Sequence, residues 1–176
     1  NMAYAMFKGR PEVYRVHSDL KKEVSKEAYD LRDKTILDFD PAKMRRLEIV
    51  RKGMSRVVIV QNQSKWNMLE PTTGIASMAK VLEYLYAVKN GEIKAFVDEN
   101  PADLAPYGLA SPMLQLTIYQ EQKDKPYVLT IGDKDRAKRG YFAMVDQAKK
   151  VFDVEEGLVN TLILNMDKLL EEGAGT

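Results

Sequence analysis

Arg46-Leu47-Glu48-Ile49-Val50-Arg51-Lys52-Gly53-Met54-Ser55-Arg56-Val57-Val58-Ile59-Val60-Gln61 is the stretch that decides the fold. Its first six residues alternate polar and apolar, the period of a strand with one buried face. Lys52-Gly53-Met54-Ser55 turns the chain, and the β-branched run Arg56–Gln61 supplies a hairpin partner. Asn62-Gln63-Ser64 turns it again into Lys65-Trp66-Asn67-Met68-Leu69. Strands joined by turns this short pair antiparallel, so the segment reads as a meander.

Outward from that core, Pro71-Thr72-Thr73-Gly74 ends the strands and opens the longest helix, with Thr73 as its N-cap. Ile75, Met78, Ala79, Leu82, Leu85, Tyr86 and Lys89 fall along one helical face, widened by Val81 and Val88. Asn90-Gly91 stops this helix, and Ile93–Val97 reads as a strand or extended segment. A connector follows at residues 100–112, punctuated by proline and glycine and holding a short helical turn. Alternation then predicts strands over 114–119 and 127–132, divided by the charged tip 120–125. A second charged loop, 134–139, leads to a hairpin of 141–145 and 150–154, which feeds a helix from Glu156 to about Leu170. Residues 171–176 read as a frayed terminus or linker. At the other end, strands over 4–7 and 11–16 flank Lys8-Gly9-Arg10. A helix then runs from a cap at Ser18 or Asp19 to Asp33, with Leu20, Val24, Ala28 and Leu31 on one face. The expected class is α+β: antiparallel meander sheets with amphipathic helices packed on them.

The hairpin and helix at the start echo those near the end. Ala5-Met6-Phe7-Lys8-Gly9-Arg10-Pro11-Glu12-Val13-Tyr14-Arg15-Val16 aligns without a gap on Ala143–Val154 at an offset of 138 residues. Over residues 5–24, Ala5, Met6, Val13, Val16 and Leu20 are identical to their counterparts 138 residues on, against about one or two identities expected by chance in such a window. The expected organisation is therefore modular. Residues 1–34 are the closing hairpin and helix of a preceding module, and residues 35–176 are one near-complete repeat module.

Composition sets bounds. The chain has 176 residues, enough to bury a core without a covalent staple. It carries 27 basic and 26 acidic residues, a net charge of +1, which makes no electrostatic case for nucleic acid or a membrane surface. There is no cysteine, so disulfides, thiolate nucleophiles and Cys-ligated metals are excluded. No run of 18 apolar residues is present.

Several stretches occur together in a familiar order. Leu31-Arg32-Asp33-Lys34 precedes Leu37-Asp38-Phe39-Asp40, and the strand pair and the Trp66 strand ending at Pro71 come next. The helix, Leu104-Ala105-Pro106-Tyr107-Gly108-Leu109-Ala110-Ser111-Pro112, Ile131-Gly132 and Val151-Phe152-Asp153-Val154 complete the series. The chain thereby resembles the domain of unknown function 4340 family of bacterial proteins over nearly its whole length. The resemblance implies an extracytoplasmic domain, commonly behind an N-terminal membrane helix and in repeated copies. It also implies genes near ABC-transporter components of the gliding-motility type. It carries over no catalytic residue.

The candidate interaction or ligand-binding residues are Trp66, Tyr107, Gly108 and Leu109. In the connector, turn chemistry accounts for the residue types: Gly108 permits positive φ, Pro112 fixes the chain, and Tyr107 and Leu109 pack. Trp66 with Tyr84, Tyr86, Phe96, Tyr107 and Tyr119 could line an aromatic cleft, although such residues more often build core and rim. Asp38, Asp40, Asp98 and Glu99 are the nearest approach to paired carboxylates, and each precedes a turn. Arg32-Asp33-Lys34 suits a helix end, where a cation is favourable. His17 is the single histidine and lacks ligand or triad spacing. Lys134–Arg139 mixes signs and has no glycine-rich phosphate cradle, and the methionines are scattered.

No catalytic residue, cofactor or metal is expected. The expected function is that of a non-enzymatic extracytoplasmic interaction or scaffold domain, accessory to an ABC-type transport complex. Its partners are envelope or transporter proteins, with no nucleic acid, and membrane contact runs only through an N-terminal anchor outside this sequence. The alternatives are a module binding a small molecule or glycan near Trp66 and Tyr107, and a hydrolase using Asp38 and Asp40.

Overall fold

A computed structural model describes residues 2–20, 31–63, 65–137, 140–146 and 149–173. The chain divides into two compact units, residues 1–33 and 34–176.

In the first unit, β1 (Met2–Met6) and β2 (Val13–His17) form a two-stranded antiparallel sheet. A turn at Phe7–Arg10 closes it, with Arg10 N–H donating to the Phe7 carbonyl at 3.0 Å. The strands lie within two residues of those expected at 4–7 and 11–16. Ser18–Leu20 are helical. Residues 21–30 of the expected first helix, including Val24 and Ala28, lie outside the described residues, whereas Leu31–Asp33, expected as its last turn, are non-helical, with Leu31 74% exposed.

Among the described residues, the second unit holds nine strands and two α-helices in chain order. They are β3 (Met44–Arg51), β4 (Val57–Asn62), β5 (Lys65–Glu70), β6 (Gly74–Ala76), α1 (Met78–Lys89), β7 (Ile93–Asp98), β8 (Leu114–Gln120), β9 (Tyr127–Asp135), β10 (Gly140–Val145), β11 (Val151–Glu155) and α2 (Glu156–Gly173). All nine strands join one sheet in the order β6-β5-β4-β3-β8-β9-β10-β11-β7, every neighbour antiparallel. The α+β class with antiparallel sheet is what the alternation and turns anticipated. Two meanders, β3 to β6 and β8 to β11, meet at a central β3–β8 pair, where Leu47 faces Ile118 and Ile49 faces Leu116.

Period-2 alternation decides what each strand buries. Leu47, Ile49, Ile59, Met68, Leu116, Ile118, Leu129 and Ile131 point into one core, all at 1% exposure or less. Val81, Tyr84, Leu85 and Val88 of α1 face them, as do Val159, Leu162, Met166 and Leu169 of α2. Full burial of such a side chain contributes about 1.5–3 kcal/mol. The helices pack on each other, and α2 also touches β6 at one edge and β10 and β11 near the other.

One expectation needs correction. The helix begins at Met78 behind Ser77, not at Thr73, and at 12 residues it is shorter than the 18-residue α2 instead of the longest. Gly74-Ile75-Ala76 is a strand, in which Ile75 pairs with Asn67 and Ala76 with Trp66. Ile75 is therefore 64% exposed instead of lying on the buried helical stripe, and Tyr86 at 50% leaves that stripe as well. The buried set Val81, Tyr84, Leu85 and Val88 has the i, i+3, i+4, i+7 spacing of one helical face. A free ladder edge on β5 recruited residues whose local pattern also suited a helix.

Candidate interaction surface

The connector that precedes β8 is anchored by its own backbone chemistry. Asp103 Oδ1 accepts from Ala105 N–H at 2.9 Å and starts a single 3₁₀ turn over Ala105–Tyr107. Gly108 ends the turn at φ 68°, a left-handed value that a β-carbon disfavours. Leu109 N–H reaches back to the Leu104 carbonyl at 3.1 Å, and Leu109 is 5% exposed. The Tyr107 ring meets Phe142 of β10 edge-on, with centroids 5.2 Å apart. Its hydroxyl donates to Asp98 Oδ2 of β7 at 2.9 Å. That hydrogen bond, with burial and the carboxylate charge adding, raises the Tyr107 pKa. Phe142 alternates with the inward Ala143, so the connector lies on the sheet face away from the helices.

The other end of that face is differently dressed. Arg46, Glu48 and Val50 of β3 alternate with Leu47 and Ile49 and so point away from the core. Glu48 accepts from Arg46 Nε at 2.5 Å and from Arg56 at 2.6 Å. Burial alone would raise the Glu48 pKa, but the hydrogen bonds and charges of Arg46 and Arg56 outweigh it, and the pKa is lowered. The Arg46 guanidinium also lies 5.8 Å from the Tyr119 ring centroid on β8. Val50 is 43% exposed, and Ile75, on the same face of β6, is 64% exposed. The surface thus sets the exposed Val50 beside a charge cluster held in place, with the exposed Ile75 at the sheet edge beyond β4 and β5. Such a mixture can dock a protein, whereas a carboxylate bonded to two guanidiniums is a poor proton shuttle.

The remaining sequence candidates are dispersed. Trp66 is 2% exposed inside the helix-covered core, and β4, β3, β8 and β9 separate its strand from β10 beneath Tyr107. The structure does not bring Trp66 and Tyr107 together. Asp40 caps a turn by accepting from Ala42 N–H at 3.0 Å, Asp98 accepts from Asn100 N–H at 3.0 Å, and Glu99 pairs with Lys150 at 2.8 Å. Asp38 is exposed. His17 is exposed and lies 2.8 Å from Asp19. Lys134 pairs with Glu156 at 2.6 Å, Asp135 caps Ala137, and residues 138–139 lie outside the described residues. Among the described residues, no group of three His, Asp or Glu side chains could hold a metal ion. A shallow cleft of about 300 Å³ between the end of α1, the start of β7 and the start of α2 is lined by Asn90, Glu92, Lys94, Leu158 and Thr161, with no aromatic ring.

The Arg46–Glu48–Arg56 cluster and Ile75 were not singled out from sequence. Alternation placed Arg46, Glu48 and Val50 on one face, but nothing local said that this face would lack helices.

The pattern of the family described as Domain of unknown function (DUF4340) matches residues 1–84 and again residues 75–173. The chain belongs to the DUF4340 family. No curated protein matches this DUF4340 chain, and no solved structure does. The two family matches overlap at the start of α1, so each includes strands of one meander and at least part of the helix that follows it. Among the described residues, no helix is long and apolar enough to cross a membrane.

Proposed function

We propose that this chain is a non-enzymatic interaction or scaffold domain on the extracytoplasmic side of the membrane, accessory to an ABC-type transport complex. The observation that carries the interaction role is the helix-free sheet face over β3 to β6 and β8, where Val50 is exposed beside the Arg46–Glu48–Arg56 cluster and Ile75 is exposed farther out on β6, beyond β4 and β5. Both helices pack on the opposite face, so a partner can dock here without displacing core. The short end strand β6 adds a sheet edge for strand-on-strand contact. The extracytoplasmic setting, with an anchor outside this sequence, and the transport association follow from the family resemblance.

On the same reading the domain is modular, with amphipathic helices packed on its meanders. Residues 1–34 close a preceding module, and residues 35–176 form one near-complete module. The alternative, a small molecule or glycan held near Trp66 and Tyr107, draws no support from the burial of Trp66 or its distance in the sheet from Tyr107.

Cross-linked affinity capture from envelope membranes tests the role. The wild-type chain should recover transporter or envelope subunits, and Val50→Asp with Ile75→Asp should lose them while the fold is retained. Capture of no envelope or transporter subunit by the wild-type chain defeats the proposal.

A further inference from the structure

The two hairpins that echo each other in sequence also share one pairing register. In the first, Met2 faces His17, Ala3 Val16, Tyr4 Arg15, Ala5 Tyr14 and Met6 Val13. In the second, Gly140 faces Glu155, Tyr141 Val154, Phe142 Asp153, Ala143 Phe152 and Met144 Val151. A shift of 138 residues carries each pair of the first onto a pair of the second, and it is the offset at which the residues themselves align. Helix begins at Ser18 in one and at Glu156 in the other, again 138 residues apart.

Burial differs sharply between the copies. Ala143, Val151, Phe152 and Val154 are each at most 3% exposed, covered by flanking strands and helices. Their counterparts Ala5, Val13, Tyr14 and Val16 keep an apolar or aromatic character, yet Val13 is 62% and Tyr14 45% exposed. Tyr4, Met6 and Phe7 are exposed at 75%, 62% and 64%. An isolated two-stranded hairpin is marginal in water, and a contiguous apolar surface on one marks an interface.

The second unit shows what covers such a hairpin. Two hairpins there lead directly into a helix: β5–β6 into α1 and β10–β11 into α2. In each, the first strand pairs on its other side with the strand just before it in sequence, β5 with β4 and β10 with β9. The turns between them are short, from Asn62 to Lys65 and from Asp135 to Gly140.

We infer that the edge of β1 that pairs with no strand among the described residues is completed by a strand from residues immediately upstream on the parent chain, equivalent to β4 and β9. The core of that upstream unit then buries the apolar surface of the β1–β2 hairpin. This deepens the modular reading above and rests on it. The hairpin is thus the last piece of a neighbouring core and not a free arm, and its exposed side chains are an intramolecular interface.

Hydrogen exchange on the parent gene product and on residues 1–176 tests this directly. The amides of residues 2–6 that point away from β2 should exchange at least about a hundredfold more slowly in the parent, since ladder bonds in a packed sheet open far less than those of a frayed edge. Equal rates in the two proteins overturn the inference. So does a parent chain with no strand-forming residues ahead of Met2. Protection that appears in residues 1–176 alone as concentration rises assigns the edge to a second copy, and overturns it as well. Capture of transport partners through the open sheet face is a separate measurement, so either idea can fail without the other.

Discussion

Gly132 of β9 lies directly against the backbone of Tyr107: a Cβ on Gly132 would stand 2.1 Å from the Tyr107 carbonyl oxygen. The same Cβ would stand 3.0 Å from the Gly108 carbonyl carbon, so backbone surrounds the site and no flexible side chain can yield. This approach is what lets the connector lie on the sheet and bring Tyr107 within reach of both Phe142 and Asp98.

Gly132→Ala should therefore destabilise the domain by about 1–3 kcal/mol or more, the scale of forced overpacking. Gly157→Ala is the control, because a Cβ there meets only Glu155 Cγ, at 3.9 Å. In a helix that change should be neutral or stabilising by up to about 1 kcal/mol. Urea unfolding of both variants checks the pair, and equal midpoints would refute the packing argument.

The Tyr107 hydroxyl should titrate above the ordinary tyrosine value of 10.0 because it donates to Asp98. A raised folded-state pKa means the bond contributes in full below about pH 10 and is lost as pH climbs through the raised value. Asp98→Asn should bring the Tyr107 titration back down. Ultraviolet difference titration of the two proteins reads this, and an unchanged tyrosine curve would contradict the assigned bond.

Glu48 works in the opposite direction. Its folded pKa lies below the ordinary 4.5, so its contribution is present above that value and is lost as pH falls through the lowered one. Glu48→Gln should remove part of the acid limb of the stability profile. The loss at neutral pH should stay below about 1 kcal/mol and shrink with salt, as for partly exposed ion pairs. Thermal melts between pH 3 and 7, a range set around the usual carboxylate values, check the shape. A variant profile parallel to wild type would count against the cluster.

Tyr84 is a fully buried side chain whose hydroxyl has no hydrogen-bond partner among the described residues, and burial pushes its pKa far up. An unmade buried hydrogen bond costs about 1–3 kcal/mol. Tyr84→Phe should accordingly leave stability unchanged or raise it by about 1 kcal/mol. A clear loss on chemical unfolding would reveal a partner for the hydroxyl.

Trp66 is the single tryptophan and is 2% exposed. Its emission should be blue-shifted and resist acrylamide quenching until the domain unfolds. Oligosaccharides should leave the spectrum unchanged. Quenching in the native state, or a shift on adding a glycan, would return Trp66 to the list of binding residues.

Much of the fold was legible because strands announce themselves locally. The alternation of Arg46–Arg51 and the turn at Lys52–Ser55 predicted a hairpin, and β3 and β4 form it with Ile49 facing Val57. The positive φ of Gly108 was equally readable, since turn chemistry acts over a few residues. The helix face was read less well. Ile75 and Tyr86 fit a helical stripe in sequence, but pairing of Ile75 with Asn67 made residues 74–76 a strand. The candidate surface was hardly legible, because nothing in Arg46 or Glu48 says which layer will cover them.

By itself, then, the sequence determined the period of each element, the turns between strands and the antiparallel α+β class, all properties set by neighbours a few residues away. Only the tertiary structure decided that β3 and β8 join two meanders into one sheet, that both helices settle on the same face, and that Trp66 is interior while Val50 and Ile75 are not. Those outcomes depend on burial summed over segments about 70 residues apart, and no local pattern carries that sum.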